Sequence, residues 1–518
     1  MKNSKPLTRR TFAAAAVAAP WILRAQQAPL KARIKIDTER VIDDIDPNLY
    51  GNFLEHLGRC VEGGVFDEGS AMSDSNGYRR DVADAVRKLG VSILRWPGGN
   101  FSSNYHWKDG IGPREKRPPR LEMAWGTVES NRFGTHEFLN YCEMVKTEPY
   151  VCANLGTGSW EEAQQWVEYV NSAQDTAMTR LRKENGRRDP WKVTYWGLGN
   201  EMDGPWQMGH KSAEDYGKFA LETAKLMKRT DPNIKLVAAG SSNYSNGIDW
   251  IGWNRTVLDF LKTHADYLAL HMYVGNTAND FGEFLTNNLL LQDRIKITEG
   301  VINGVMASQK GRKVYIAWDE WNVWYRARGD SQRGRRILEE RYNLEDALVV
   351  ATFLNTFINH SHVVKIANMA QLVNVIAPIL TNDKGMFLQT IYYPLQLFAN
   401  NSKGKALQLF VESPKYMSRR FGDVPYLDTS AAYDNGTLVL NVVNRHQDQA
   451  IEAEFEVEDK QFSGAVEIAE VNGPDIKAEN DFGSTKVSAV QRSATASGKK
   501  FTTRFAPHSY TMLKVKLA

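Results

Sequence analysis

Three scarcities narrow what this chain can be. Cysteine occurs only three times in 518 residues, as Cys60, Cys142 and Cys152, and no two form a CxxC pair, which excludes a disulfide framework. Charge of one sign is not in excess: the formal net charge is +3, and no basic block interleaved with aromatics occurs beyond the N-terminus, so nucleic-acid binding is not expected. No apolar run reaches about 18 residues, and the mean hydropathy is -0.45, so no membrane-spanning helix is expected. Metal and nucleotide signatures are also missing. His56, His106, His136, His210 and His271 fall into no HExxH or paired-ligand spacing, so no catalytic metal is expected. Gly98 and Gly99 are not followed by Gly-Lys-Ser/Thr, so a phosphate-binding loop, and with it a nucleotide cofactor, is not expected.

What remains is a folded chain of ordinary composition, 42% hydrophobic and 24% charged, long enough for about three domains or for one large barrel with a smaller partner. Its 14 Trp and 20 Tyr suit large cores, and also sites that bind flat, amphipathic ligands such as sugars. Residues 1–25 carry Lys2, Lys5, Arg9, Arg10 and Arg24 and no acid, with an apolar stretch from Thr11 to Leu23. The pattern resembles a twin-arginine export signal, so an exported, periplasmic or secreted protein is expected.

From about residue 48 to 402, short β-rich segments alternate with helical patterns. Eight segments read as strands: Leu49–Phe53, Ser92–Arg95, Tyr150–Asn154, Val193–Gly199, Lys235–Ala239, Tyr267–His271, Val314–Trp318 and Val364–Asn368. Several are nearly continuous apolar runs, as parallel strands covered on both faces require. Asp81–Leu89, Ser159–Asn171 and Ser212–Lys228 show helical spacing, and Ser212 stands as a likeness of an N-cap. The fold class is therefore α/β, a (β/α)8 barrel with long loops. From about 403 to 518 the pattern changes to short alternating strands, among them TLVLNVVN (437–444) and AEFEV (453–457). These predict a C-terminal β-sandwich of jelly-roll type. Residues 26–47 contain one more alternating strand, Ala32–Ile36, assigned to the same sandwich.

Barrel sites lie at the C-terminal ends of the strands. The fourth segment runs into Asn200-Glu201 and the seventh into Asp319-Glu320, both beside indole rings. Two carboxyl groups flanking one bond are what glycoside hydrolysis requires, one to protonate the departing oxygen and one to attack or to activate water.

Seven stretches then carry a specific resemblance: YGNFLEHLGRC (50–60), LRWPGGN (94–100), MAWGT (123–127) continuing to NRFG (131–134), YWGLGNEMDG (195–204), LHMY (270–273), WDEWNVWY (318–325) and AQLVNVIAP (370–378). They resemble, in order, glycoside hydrolase family 51, the α-L-arabinofuranosidases. The resemblance implies a retaining, exo-acting enzyme that removes terminal arabinofuranose from arabinan, arabinoxylan or their oligosaccharides. It implies Glu201 as general acid/base and Glu320 as nucleophile. It assigns Asn200 to the sugar 2-hydroxyl, and Glu55, Arg95 and Asn100 to holding the furanose or the catalytic carboxylates. His271 and Tyr273 fall beside the nucleophile, Gln371 and Trp324 on the sugar, and Trp125 near the leaving group. Homo-oligomerisation, as a hexamer, is implied by resemblance alone. A related barrel xylosidase or endoglucanase, or a non-catalytic carbohydrate-binding protein, are the alternatives.

Overall fold

A computed structural model describes residues 30–327 and 336–518; the segment read as an export signal lies outside them. Eight parallel strands close into a barrel: Gly51–Phe53, Ile93–Trp96, Glu148–Ala153, Tyr195–Leu198, Lys235–Ala238, Tyr267–Val274, Tyr315–Val323 and Val364–Ala370. Each overlaps one of the eight expected segments, the sixth and seventh running further than expected, to Val274 and Val323, and they are named below by ordinal. Each is short and almost wholly buried, because helices cover the outside while side chains fill the inside. Helix starts follow local chemistry. The Ser159 side chain accepts from Glu162 N ahead of helix Trp160–Asn171, and the Ser212 side chain accepts from Asp215 N ahead of helix Ala213–Thr230, each satisfying an amide that the first turn leaves open.

The barrel interior is layered. Ile93, Tyr150, Val237, Tyr267, Ala269, Ala317 and Ile366 form a separate buried apolar cluster. They come from six strands and close the floor. Two residues further along the second strand, on the same face, stands Arg95, buried above that floor. The polar chemistry therefore begins one layer up, towards the strands' C-terminal ends.

The seventh strand departs from the pleat. Ala269 pairs with Ala317, but His271 pairs with Glu320, and the register towards the eighth strand also shifts between Trp318 and Trp321. This bulge places one extra residue in the seventh strand. In a regular strand consecutive side chains face opposite sides. Here Asp319 and Glu320 both contact Arg95 inside the barrel, while Trp318 and Trp321 pack outwards on Phe353 and Phe357 of helix Leu344–Asn359.

Two larger sheets face each other across a second apolar core that includes Ile34, Phe455, Leu440 and Leu513, and the other strands outside the barrel pair in three two-stranded sheets. One sheet has the order Phe410–Glu412, Leu30–Ile36, Ile451–Val457, Lys500–Phe505; the other has seven strands. Strand Leu30–Ile36 lies parallel to Ile451–Val457 in unbroken register. The seven-stranded sheet is docked on the barrel by a shared apolar core, in which Val439, Val443 and Tyr510 join barrel-side residues such as Phe398, and by polar contacts: Asn355 Nδ2 donates to Asp428 Oδ1 at 2.7 Å, and Arg445 Nη2 donates to Asn288 Oδ1 and Asp428 Oδ2, each at 2.8 Å. The three cysteines are buried thiols.

Candidate active site

A cavity of about 570 Å³ opens at the C-terminal ends of the strands. Glu55, Asn100, Trp125, Glu201, His271, Tyr273, Glu320, Trp324 and Gln371 all line it. Two expected site residues, Arg95 and Asn200, are buried just beneath its wall rather than in it.

Glu201 reaches the cavity through an unusual backbone. Past the fourth strand, Gly199 has φ 81° and Glu201 has φ 46°. The left-handed region is easy for glycine and costs an ordinary side chain about 1–3 kcal/mol. The Glu201 carboxyl is then held from two sides. Its Oε1 lies 2.9 Å from His271 Nδ1, and its Oε2 accepts from the indole Nε1 of Trp206. Glu320, on the bulged seventh strand, accepts from Arg95 Nη1 at 2.7 Å and from the Tyr273 hydroxyl at 2.8 Å. Acceptor or donor atoms of Glu201, His271 and Glu320 lie within 4.8 Å of one another, so the two acids face each other at close range.

Arg95 and Asp319 organise the layer below. Arg95 Nη2 donates to Asn200 Oδ1 at 2.7 Å, completing a fork that fixes Glu320 and Asn200 together. Asp319 accepts from the Tyr150 hydroxyl at 2.8 Å and faces His271 Nε2 at 3.2 Å. His271 thus bridges Asp319 and Glu201. Glu55 is the fourth buried acid. It accepts from Phe101 N at 3.1 Å, Trp125 Nε1 at 3.3 Å and Gln371 Nε2 at 2.8 Å. The glycine pair on the second-strand loop is explained here: a methyl group on Gly99 would stand 3.0 Å from Glu55 Oε2 and 3.3 Å from Glu320 Oε1.

The electrostatics separate Glu55 and Glu201 from Asp319. Burial, reinforced by the charge of Glu320, pushes the Glu55 carboxyl up to about 8. Burial also raises Glu201, with the charge of Glu320 adding to it and the His271 and Trp206 hydrogen bonds opposing it. For Asp319, burial is outweighed by the Arg95 charge and the His271 contact, and its carboxyl is held below the usual range. Burial likewise works against a charged His271, but the Glu320 charge and the contacts to Asp319 and Glu201 win, so the imidazole holds its proton well above the ordinary value. Neighbouring groups that favour opposite protonation states are how one site runs both acid and base chemistry.

The sequence reading missed Trp206, Asp319 and Tyr150 as members of the site. Trp206 lies in the same loop as Glu201, five residues on, and an aromatic so close to a strand-end acid was the available signal. Asp319 was visible only as a neighbour of Glu320, because strand alternation would send it to the other face.

Comparison with known proteins follows the same lines. The profile of the alpha-L-arabinofuranosidase 1 domain matches residues 85–288, and that of the alpha-L-arabinofuranosidase C-terminal domain matches residues 319–509. A Bacillus subtilis protein named intracellular exo-alpha-(1->5)-L-arabinofuranosidase 1 is 40% identical, over 94% of this chain and 99% of its own length. A Halalkalibacterium halodurans intracellular exo-alpha-(1->5)-L-arabinofuranosidase is also 40% identical, over 84% of this chain and 88% of its own. The crystal structure of a Thermotoga maritima alpha-L-arabinofuranosidase in complex with arabinose superposes with a TM-score of 0.86 at 37% identity, over 94% of this chain and all of that one. The expectation of export is overturned by these relatives, since both bacterial proteins are named as intracellular. The basic and apolar pattern of residues 1–25 was a signal in composition alone. With barrel, sandwich and the paired acids in place, and with relatives matched along nearly the whole length, the chain belongs to glycoside hydrolase family 51, the α-L-arabinofuranosidases.

Proposed function

We propose that this protein is a retaining, exo-acting α-L-arabinofuranosidase that releases terminal α-L-arabinofuranosyl residues by double displacement. The observation that carries the retaining assignment is the close approach of Glu201 and Glu320, within 4.8 Å at their nearest oxygens. Retaining pairs stand about 5–5.5 Å apart, whereas inverting pairs leave roughly 6.5–9.5 Å for a water.

Glu320, oriented by Arg95 and Tyr273, attacks the anomeric carbon. Glu201, whose carboxyl keeps its proton above the ordinary range, delivers it to the departing oxygen. The resulting glycosyl-enzyme ester is hydrolysed when the Glu201 carboxylate takes a proton from water. Glu55, Gln371, Asn100 and Trp324 supply the sugar contacts. Family resemblance assigns Asn200 to the sugar 2-hydroxyl, and its amide is held beneath the cavity wall by Arg95 Nη2 at 2.7 Å. By family resemblance the working unit is a homo-oligomer.

The deciding experiment is hydrolysis of 4-nitrophenyl α-L-arabinofuranoside, with the first-formed sugar anomer read by NMR. The expected outcome is turnover with retained configuration. An inverted first product would remove Glu320 as nucleophile, and absence of turnover would remove the activity.

A pH test separates Glu201 from its neighbours. Trp206 donates to the Glu201 carboxylate and so favours its charged form. Trp206→Phe removes that donor, Glu201 holds its proton to higher pH, and the basic limb of kcat/KM moves upward. A basic limb that stays in place or moves down would show that another group sets it.

A further inference from the structure

One side of the cavity is built from residues that the double displacement does not use. Arg294, on helix Asn287–Met306, lines it together with Tyr244, Ser242, Asn243 and Ser245. The guanidinium carbon of Arg294 sits 3.6 Å from the centroid of the Tyr244 ring. Such close stacking fixes the plane of the fork, since Arg is preorganised by an aromatic face. The Tyr244 ring is itself held, by its hydroxyl on the Ser241 carbonyl at 3.0 Å and by an edge contact with Trp250.

Arg294, half-buried in the wall, has no acid; the buried Arg182 also lacks one but donates to the carbonyls of Tyr169, Ser172 and Arg188. Arg95 is paired with Glu320, Arg79 with Asp81 and Arg445 with Asp428. Among the described residues Arg294 has neither an ion-pair partner nor a hydrogen-bond acceptor, and its guanidinium lies over the Tyr244 ring. Burial without a counter-charge pulls its guanidinium below the usual arginine value. A partly desolvated cation whose donors face the cavity without a protein acceptor offers an entering anion charge-assisted hydrogen bonds.

Its place in the cavity says which part of a substrate it meets. Ser242 N and Asn243 N donate to Asp203 Oδ2 at 2.8 and 2.9 Å, which ties the Tyr244 loop to the loop carrying Glu201. Arg294 is therefore on the side of the residue that protonates the departing oxygen. Glu55 and Gln371, which contact each other, lie just past other strands, the first and the eighth.

We propose that Arg294, stacked on Tyr244, forms a leaving-group subsite that selects arabinofuranosides whose leaving group carries a carboxylate. This rests on the reading of the site as an arabinofuranosidase. The carboxylate takes two parallel N–H···O bonds from the guanidinium while the ring behind it blocks rotation. No bond is made or broken at Arg294, so it is a specificity residue and not a catalytic one.

The test compares 3- and 4-carboxyphenyl α-L-arabinofuranosides with their methyl esters, in wild type and in Arg294→Gln. Taking the acid-to-ester ratio of kcat/KM within each protein, and then comparing proteins, cancels the difference in leaving-group acidity. The ratio for at least one isomer is expected to fall roughly tenfold in Arg294→Gln, the scale of one charge-assisted contact, and to recover partly in Arg294→Lys. Equal loss on acids and esters would overturn the proposal and make Arg294 a general support of the wall. Should the glutamine variant not fold, the wild-type protein alone decides: 3- or 4-hydroxybenzoate should inhibit with a Ki roughly tenfold below that of the matching hydroxybenzamide, and equal inhibition overturns the proposal. Absence of turnover on every arabinofuranoside would instead sink the activity on which it rests.

Discussion

Glu201→Ala in the presence of azide is expected to convert aryl arabinofuranosides to an arabinosyl azide of retained configuration. An aryl leaving group needs little protonation, so the first step survives loss of Glu201. The glycosyl-enzyme on Glu320 then accumulates, because no base activates water. Azide needs no base, enters from the face that the leaving group vacated, and restores turnover. Without azide, turnover should fall by roughly 10²–10⁴, the usual range for a lost general acid/base. Glu320→Ala should fall further, by roughly four orders of magnitude or more, because no covalent intermediate forms. Product NMR checks both variants. Retained azide from Glu320→Ala would reverse the two roles.

Arg95→Leu is expected to damage folding and catalysis together. Arg95 is buried and touches Glu320, Asp319 and Asn200 at once. Removing one member of a buried ion pair leaves its partners charged and unpaired, at a cost of about 3–5 kcal/mol. Denaturant unfolding should show that loss, and kcat should drop with it because Glu320 loses the donor that aims it. The combination Arg95→Leu with Glu320→Gln separates the effects. Stability should partly return, since one stranded charge is gone, while activity stays lost. If Arg95→Leu unfolds like wild type, the network is not the anchor of the site.

Strand positions were legible because a buried parallel strand needs little beyond an apolar run ended by polar residues, and several of the eight segments offered that. Glu201 and Glu320 were legible for the same reason, as acids placed just past such runs. Asp319 was not. Period-2 reading puts it opposite Glu320, and only the bulge opposite His271 turns both acids inwards. A bulge arises from pairing between strands, so it leaves no local mark in the seventh strand itself. Arg294 and Tyr244 were equally hidden, one in the middle of a long helix and one in a polar loop, 50 residues apart in number and joined only by the barrel's closure. The export reading failed on a different ground, since a basic, apolar composition constrains far less than a packed core.

The parallel pairing of Leu30–Ile36 with Ile451–Val457 also sets a problem of timing. Lys31 and Glu452, which end up as an ion pair, are 421 residues apart. At ordinary rates of synthesis strand Leu30–Ile36 waits roughly 20–80 s before its partner exists. An unpaired strand with an apolar face is a template for aggregation. This one, LKARIKI, carries Lys31, Arg33 and Lys35 along its other face, so two nascent chains repel each other strand to strand. When IEAEFEV finally emerges, those cations meet Glu452, Glu456 and Glu458. The charges that guard the waiting edge against its own copies are the ones that later choose its neighbour and its register.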